Sequence, residues 1–407
     1  MDALRHPRLY IAFLGAWRAL LAIAGFVTAV YIGLAFEAPL PLAVWPQAML
    51  AITGSGVLLL ALGAAGVGAA TFNPADDLKQ LGLAGSLWRY MREERRAIDR
   101  AAYGSMFADV GPLSSSRPHI VVVQSESFFD ARRLHKGIER KVLENWDALQ
   151  GDAVQHGRLR VAAWGANTVR TEFSFLSGRA IDSLGVHKFN PYRKLARQGI
   201  VTLATHLRAL GYRTVCVHPY PARFYNRHIV FPQMGFDEFI DIKSFDGVLK
   251  SGPYIGDIAV AEKITALIGA SDKPLFVFAI TMENHGPLHW EKLGDAERQQ
   301  YFTAPLPADC DDLAVYLRHL ANADKMVAML RDRLTQLSTP ACLCFYGDHV
   351  PIMADVYAAL GAPDGDTEYV IWRNKGGNSA TIKRDLSIEA LAPALLRHAN
   401  EIQEIET

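Results

Sequence analysis

The 407-residue chain has only four cysteines, Cys216, Cys310, Cys342 and Cys344. No pair of them has the spacing of a zinc site. Cys342 and Cys344 share one strand face and read as core residues. Cys310 falls in a polar stretch and reads as a free thiol. The chain also lacks net charge, with 42 basic side chains matched by 42 acidic ones. With no global basic field, nucleic acid is excluded as an expected partner. The length allows two or three domains. Half of the residues are hydrophobic, a high share whose excess is local.

That excess lies at the start. Ala19 to Phe36 and Ala38 to Pro74 contain no charged residue. Each stretch can supply the ~20 apolar residues of a membrane-spanning helix, and glycines such as Gly54, Gly56 and Gly63 are tolerated there. A signal peptide followed by a buried helix fits less well, because the apolar material is too long and no clean cleavage site follows. Arg5, His6 and Arg8 precede the first stretch, only Glu37 lies between the two, and Lys79, Arg89, Arg92, Arg95 and Arg96 follow. By the positive-inside rule both flanks would be cytoplasmic. The expected organisation is a membrane region over 1–74 with about two transmembrane helices, a charged helical connector over 75–116 closed by Ser114-Ser115-Ser116-Arg117-Pro118, and a catalytic domain over 117–407.

Four short apolar runs in that domain read as buried strands: 119–124, 213–217, 274–281 and 341–346. Helical patterns lie between them, at 139–150, 203–210 and 310–337, and a small strand (368–372) and a terminal helix (388–398) follow. Alternating strands and helices predict a doubly wound parallel sheet. The strands end, in order, at Glu126, His218, Asn284-His285 and Asp348-His349, all opening on one sheet edge, where such folds bind ligands. Each ending has an ordinary reading alone: Glu126 as an acid at a helix start, Asp348-His349 as a turn. Four together suit a divalent metal held by Glu126, Asp348 and His349. Thr168 opens a helix after Gly165-Ala166-Asn167. It reads as an N-cap or as a hydroxyl nucleophile whose pKa a metal lowers. His218, His285 and Arg227 can supply donors to developing negative charge. The set describes phosphoryl or sulfuryl transfer through a covalent threonine intermediate.

In its motifs the chain resembles the lipoteichoic acid synthase and phosphoglycerol transferase branch of the alkaline phosphatase superfamily, often called sulfatase-like. The matching residues are Gln124-Ser125-Glu126-Ser127, Asn167-Thr168 ahead of Glu172-Phe173, His218, Phe224-Tyr225-Asn226-Arg227, Glu283-Asn284-His285-Gly286-Pro287 and Tyr346-Gly347-Asp348-His349. The resemblance implies an alkaline-phosphatase-like α/β domain behind N-terminal transmembrane helices, on the periplasmic or extracellular side of a bacterial cytoplasmic membrane. It implies one divalent ion, usually Mn²⁺, on Glu126, Thr168, Asp348 and His349; Mg²⁺ and Zn²⁺ also suit these ligands. Thr168 would take glycerol phosphate from phosphatidylglycerol and pass it to an envelope glycan or polymer. His218, Tyr225, Asn226, Arg227 and His285 would contact the phosphoglycerol. Thr171 is the rival nucleophile if the motif alignment slips by three. Tyr225 departs from the tryptophan of the Gram-positive polymerases, and Glu283-Asn284-His285-Gly286-Pro287 is closer to Gram-negative members that modify glucans or surface polysaccharides.

Four other functions compete. A phosphoethanolamine transferase or a phosphodiesterase would use the same fold and threonine. A sulfate-ester hydrolase would need Cys or Ser in C/S-x-P-x-R to form formylglycine, and no such sequence occurs; Cys216-Val217-His218-Pro219 has its proline one place late. A non-catalytic membrane-anchored binding module would be betrayed by a lost metal ligand, and all four candidates are present.

Overall fold

A computed structural model describes residues 16–36, 44–64, 68–99, 103–108, 117–248, 250–376 and 380–401. The chain divides into two units, Met1–Ala97 and Ile98–Thr407.

In the first unit the two uncharged stretches form helices α1 (Ala16–Phe36) and α2 (Val44–Ala64). Large apolar side chains on both are exposed, among them Leu20, Phe26, Trp45 and Ile52. Counted over the described residues, no helix is long and apolar enough to cross a membrane. Arg5, His6, Arg8, Glu37 and the serines of the expected linker lie outside the described residues. The connector is helical over a shorter span than expected, as α3 (Pro74–Arg95), and Gly82 kinks it with a φ of 68°. Asn73 caps its start and Pro74 fills its first turn, where no N–H is needed. Asp77 is buried and ties the turn together. Its carboxylate accepts from the Thr71 N–H and hydroxyl (both 2.8 Å), the Phe72 N–H (2.9 Å) and the Tyr90 hydroxyl (2.7 Å).

In the second unit all four expected strands form: β1 (His119–Ser125), β3 (Arg213–Val217), β7 (Leu275–Ile280) and β8 (Ala341–Gly347). The remaining main-sheet strands are β2 (Gln155–Arg160), β4 (Glu238–Ile240), β9 (Thr367–Arg373), β10 (Ile382–Lys383) and β11 (Leu386–Ser387). A small separate hairpin pairs β5 (Lys250–Ser251) with β6 (Tyr254–Ile255). The order among the described residues is β10-β2-β9-β8-β1-β7-β3-β4, with β11 also on β2. The expectation of an all-parallel sheet needs correction. β8, β1, β7, β3 and β4 are parallel, but β9 runs antiparallel to both β8 and β2. A strand's direction depends on its connection, and its composition does not reveal it.

Both faces of the sheet are covered, so β1 is buried at every position. Val121 and Val123 pack into one core, with α8 (Asp257–Gly269) and α10 (Asp311–Thr335). Ile120 and Val122 pack into the other, with α5 (Thr168–Ser177), α6 (Leu203–Ala209) and α12 (Ile388–Asn400). This two-sided burial is why the strands read as continuous apolar runs. The helix expected over 139–150 divides into a 3₁₀ turn, Arg140–Leu143, and α4 (Glu144–Gly151). The other helices are α7 (Arg227–Gln233), α9 (Asp295–Gln299) and α11 (Ala354–Leu360). Cys310 is a free thiol, as expected, and like the other three cysteines it is buried.

Candidate active site

Because β8, β1, β7 and β3 are adjacent and parallel, their carboxyl ends form one row. Asp348-His349, Glu126, Thr281 to His285, and His218 follow these ends directly. Ser125 is in register with Gly347, which places Glu126 beside Asp348. Gly347 permits this approach, since a Cβ there would overlap the Phe128 carbonyl.

Glu126, Asp348 and His349 are buried, and one ligand atom from each lies within 4.8 Å of the others. His349 Nε2 is 3.5 Å from Glu126 Oε1 and 3.5 Å from Asp348 Oδ2. Its Nδ1 is 3.1 Å from the Val350 carbonyl, which can only accept, so Nδ1 carries the proton and Nε2 faces the carboxylates. Ser127 links the three residues. Its N–H donates to Asp348 Oδ1 (2.8 Å), its hydroxyl donates to Glu126 Oε1 (2.9 Å), and Oγ is 3.3 Å from His349 Nδ1. The Glu126 N–H donates to the Thr281 hydroxyl at 3.0 Å.

The residues fit a divalent cation. Asp348 Oδ2 is buried without a partner at full hydrogen-bonding geometry. Burial and then the Glu126 carboxylate push Asp348 up to about 7, while His349, the Ser127 N–H and the Thr168 hydroxyl act against the rise. Burial acts to lower His349, but the Asp348 and Glu126 carboxylates outweigh it and raise the imidazole above its ordinary value. Two crowded carboxylates and an imidazole with excess negative charge form the donor set a hard or borderline cation takes.

Thr168 is the first residue of α5. Gly165 and Asn167, both at a φ of 67°, turn the chain sharply into it. The Thr168 hydroxyl is near enough to the Asp348 carboxylate to hold its pKa down. Thr171, the rival, is buried, and its hydroxyl donates to the Asp348 backbone carbonyl at 2.9 Å.

Arg227 is buried at the start of α7, after Tyr225 and Asn226, which both have positive φ. Its Nη2 and Nε reach Glu172 at 2.8 and 3.3 Å, and its Nη1 is 3.2 Å from His218 Nε2. The guanidinium lies 5.3 Å from the Tyr225 ring centre. His218 Nδ1 is 3.1 Å from the Ile280 carbonyl and must donate to it. Burial, and then Arg227, hold this imidazole well below its ordinary pKa, so it is neutral and accepts from Arg227. The N–H it was expected to offer an anion is engaged with Ile280. His285 is half-buried, with its ring 5.4 Å from Tyr254 and its Nδ1 2.7 Å from the Gly286 carbonyl.

Sequence reasoning missed Ser127, Thr281 and the structural use of Glu172. Ser127 and Glu172 lie inside the matched motifs, and only their partners, 55 to 222 residues distant, reveal what they hold.

The chain belongs to the sulfatase family, whose model matches residues 118–401. The fold is that of the alkaline phosphatase superfamily. The chain is 32% identical over 290 residues to a capsular polysaccharide biosynthesis protein of Rhizobium meliloti, covering 70% of this chain and 51% of that one. It is 28% identical over 320 residues to a putative cyclic β-1,2-glucan modification protein of the same organism, covering 74% of this chain and 48% of the relative. The chain thus spans about half the length of the curated relatives it matches. A Streptococcus pyogenes phosphoglycerol transferase, solved with sn-glycerol-1-phosphate, superposes with a TM-score of 0.57 at 20% identity, over 77% of this chain and 80% of that one. The buried Glu126–Asp348–His349 group thus lies in a sulfatase-family domain.

Proposed function

We propose that the protein is a membrane-anchored, metal-dependent phosphoglycerol transferase that carries glycerol phosphate from phosphatidylglycerol, through Thr168, to an envelope glycan. The observation that carries this reading is the buried Glu126–Asp348–His349 group with the Thr168 hydroxyl against Asp348. The names of the polysaccharide and glucan relatives support a glycan acceptor. The uncharged stretches Ala19 to Phe36 and Ala38 to Pro74 support the membrane anchor in this reading. The catalytic unit is placed in the periplasm or cell exterior, where such acceptors lie, against the positive-inside count of its flanks, because long domains translocate largely regardless of charge.

Glu126, Asp348, His349 and Thr168 would hold the ion; Mn²⁺ is the expected species. When bound, a divalent cation supplies Lewis acidity and lowers the pKa of an alcohol. Thr168 Oγ attacks phosphorus, and the phosphorus–oxygen bond to diacylglycerol breaks. The α5 N-terminus directs backbone N–H groups at the phosphate. Arg227 is held in place by Glu172 and His218, and it and His285 take the phosphoglycerol beside Tyr225 and Asn226. Diacylglycerol leaves with a proton. An acceptor hydroxyl then attacks phosphorus and releases Thr168.

The test is a lipid assay with purified full chain, Mn²⁺ and fluorescent phosphatidylglycerol, run beside Thr168→Ala. Diacylglycerol formed only by the wild type is the expected result. Release from phosphatidylethanolamine instead identifies a phosphoethanolamine transferase. Silence with both lipids, in protein that binds metal, identifies a different donor or a non-catalytic module.

A further inference from the structure

Two loops carry the chemistry: 161–167 leads into Thr168, and 348–353 holds Asp348 and His349. Their outer faces are apolar. Trp164 is 48% exposed and Ile352 44% exposed. The two loops touch, because a Cβ on Gly165, next to Trp164, would lie 2.6 Å from Ile352 Cγ1. The Trp164 side chain is braced. A Cβ on Gly365 would lie 2.7 Å from Trp164 Cδ1, and the Trp164 ring sits 5.8 Å from the Tyr357 ring. Tyr357 also donates its hydroxyl to the Pro351 carbonyl at 2.6 Å, tying the second loop to the first. No charged residue occurs from Val161 to Val169 or from Val350 to Ala354, while Arg160 and Arg170 flank the first segment.

We infer that the Trp164–Ile352 lip is a lipid-contacting surface that rests on an anionic phospholipid bilayer and brings the donor's headgroup to Thr168. This rests on the phosphoglycerol reading above. Trp164 and Ile352 put exposed apolar surface on the two loops that bear Thr168 and His349, beside a polar site. Tryptophan favours the bilayer interface, where its ring is apolar and its N–H stays wet. The donor's scissile bond lies at that same interface, so the surface that touches lipid has to be the one beside the nucleophile. Of the charges that flank the two segments in sequence, Arg160 is exposed and suits anionic headgroups, while Arg170 is half-buried near Asp182 and Asp355 adds one negative charge after the second segment.

The test uses the full chain, with Mn²⁺, reconstituted into phosphatidylcholine vesicles containing phosphatidylglycerol. Trp164→Ala combined with Ile352→Ser should lower diacylglycerol release roughly tenfold, while hydrolysis of the water-soluble p-nitrophenyl ester of glycerol phosphate stays within about twofold of wild type. Equal losses on both substrates overturn the inference. A defect seen only in glycan-dependent turnover also overturns it, in favour of a sugar ring stacking on Trp164. An activity-independent readout accompanies these. Brominated-chain phosphatidylcholine should quench a larger share of tryptophan fluorescence in wild type than in Trp164→Phe, and equal quenching sinks the lip. If wild type releases no diacylglycerol, the phosphoglycerol reading fails alone and the quenching still decides the lip.

Discussion

Arg227 and Glu172 face each other as a buried pair, with Nη2 2.8 Å from Oε2 and Nε 3.3 Å from Oε1. The guanidinium expected to grip phosphate therefore has two of its five N–H donors committed to a carboxylate one helical turn beyond Thr168. Tyr192 donates its hydroxyl to the same carboxylate. The pair couples the helix that begins at Thr168 to the start of α7.

Removing one partner strands a charge in the core. Glu172→Ala should cost roughly 3–5 kcal/mol of stability, read from urea denaturation. Glu172→Gln combined with Arg227→Met should recover much of that loss without restoring turnover. If the double variant is as active as wild type, Arg227 has no part in substrate binding.

Thr168→Ala should reduce turnover by at least about a thousandfold even at saturating Mn²⁺ and leave the melting temperature of the metal-free protein near wild type. Thr171→Val removes the hydrogen bond to the Asp348 carbonyl and should weaken metal binding instead. The reverse pattern would make Thr171 the nucleophile.

Ser127→Ala takes a donor from Glu126 and a neighbour from His349. Loss of such a supporting contact typically costs about 10–100-fold in metal affinity. Activity should return at saturating Mn²⁺, so a titration distinguishes this role from direct catalysis. An unchanged Mn²⁺ dissociation constant would show that Ser127 serves only packing.

Asp348 sets the pH dependence. Its pKa in the metal-free fold is raised to about 7, above the ~3.9 of an unfolded chain. Its contribution to stability is thus fully present below ~3.9 and is lost as pH rises through about 7. A bound cation needs the ionised form, so metal affinity should run the other way and strengthen as pH rises through about 7. Thermal melts from pH 5 to 8.5 should show Mn²⁺ stabilising the protein most at the alkaline end. Equal stabilisation across that range would place Asp348 outside the metal site.

Much of this was legible because chemistry and burial leave separate marks on a sequence. Strands β1, β3, β7 and β8 lie between two cores, so each is apolar on both faces, and a metal-ligating or imidazole group just beyond such a run stands out. β2 escaped notice because Gln155-His156-Gly157-Arg158-Leu159-Arg160 lies near the sheet edge, where polar side chains are tolerated. The sequence by itself determined the residue types, their order and the strand ends on which they sit. Only the tertiary structure decided that Thr171 holds the Asp348 carbonyl, that His218 accepts from Arg227, that β9 runs antiparallel, and that Trp164 lies against Tyr357. Each of those depends on the direction of a connection or on a partner far along the chain, and local composition encodes neither.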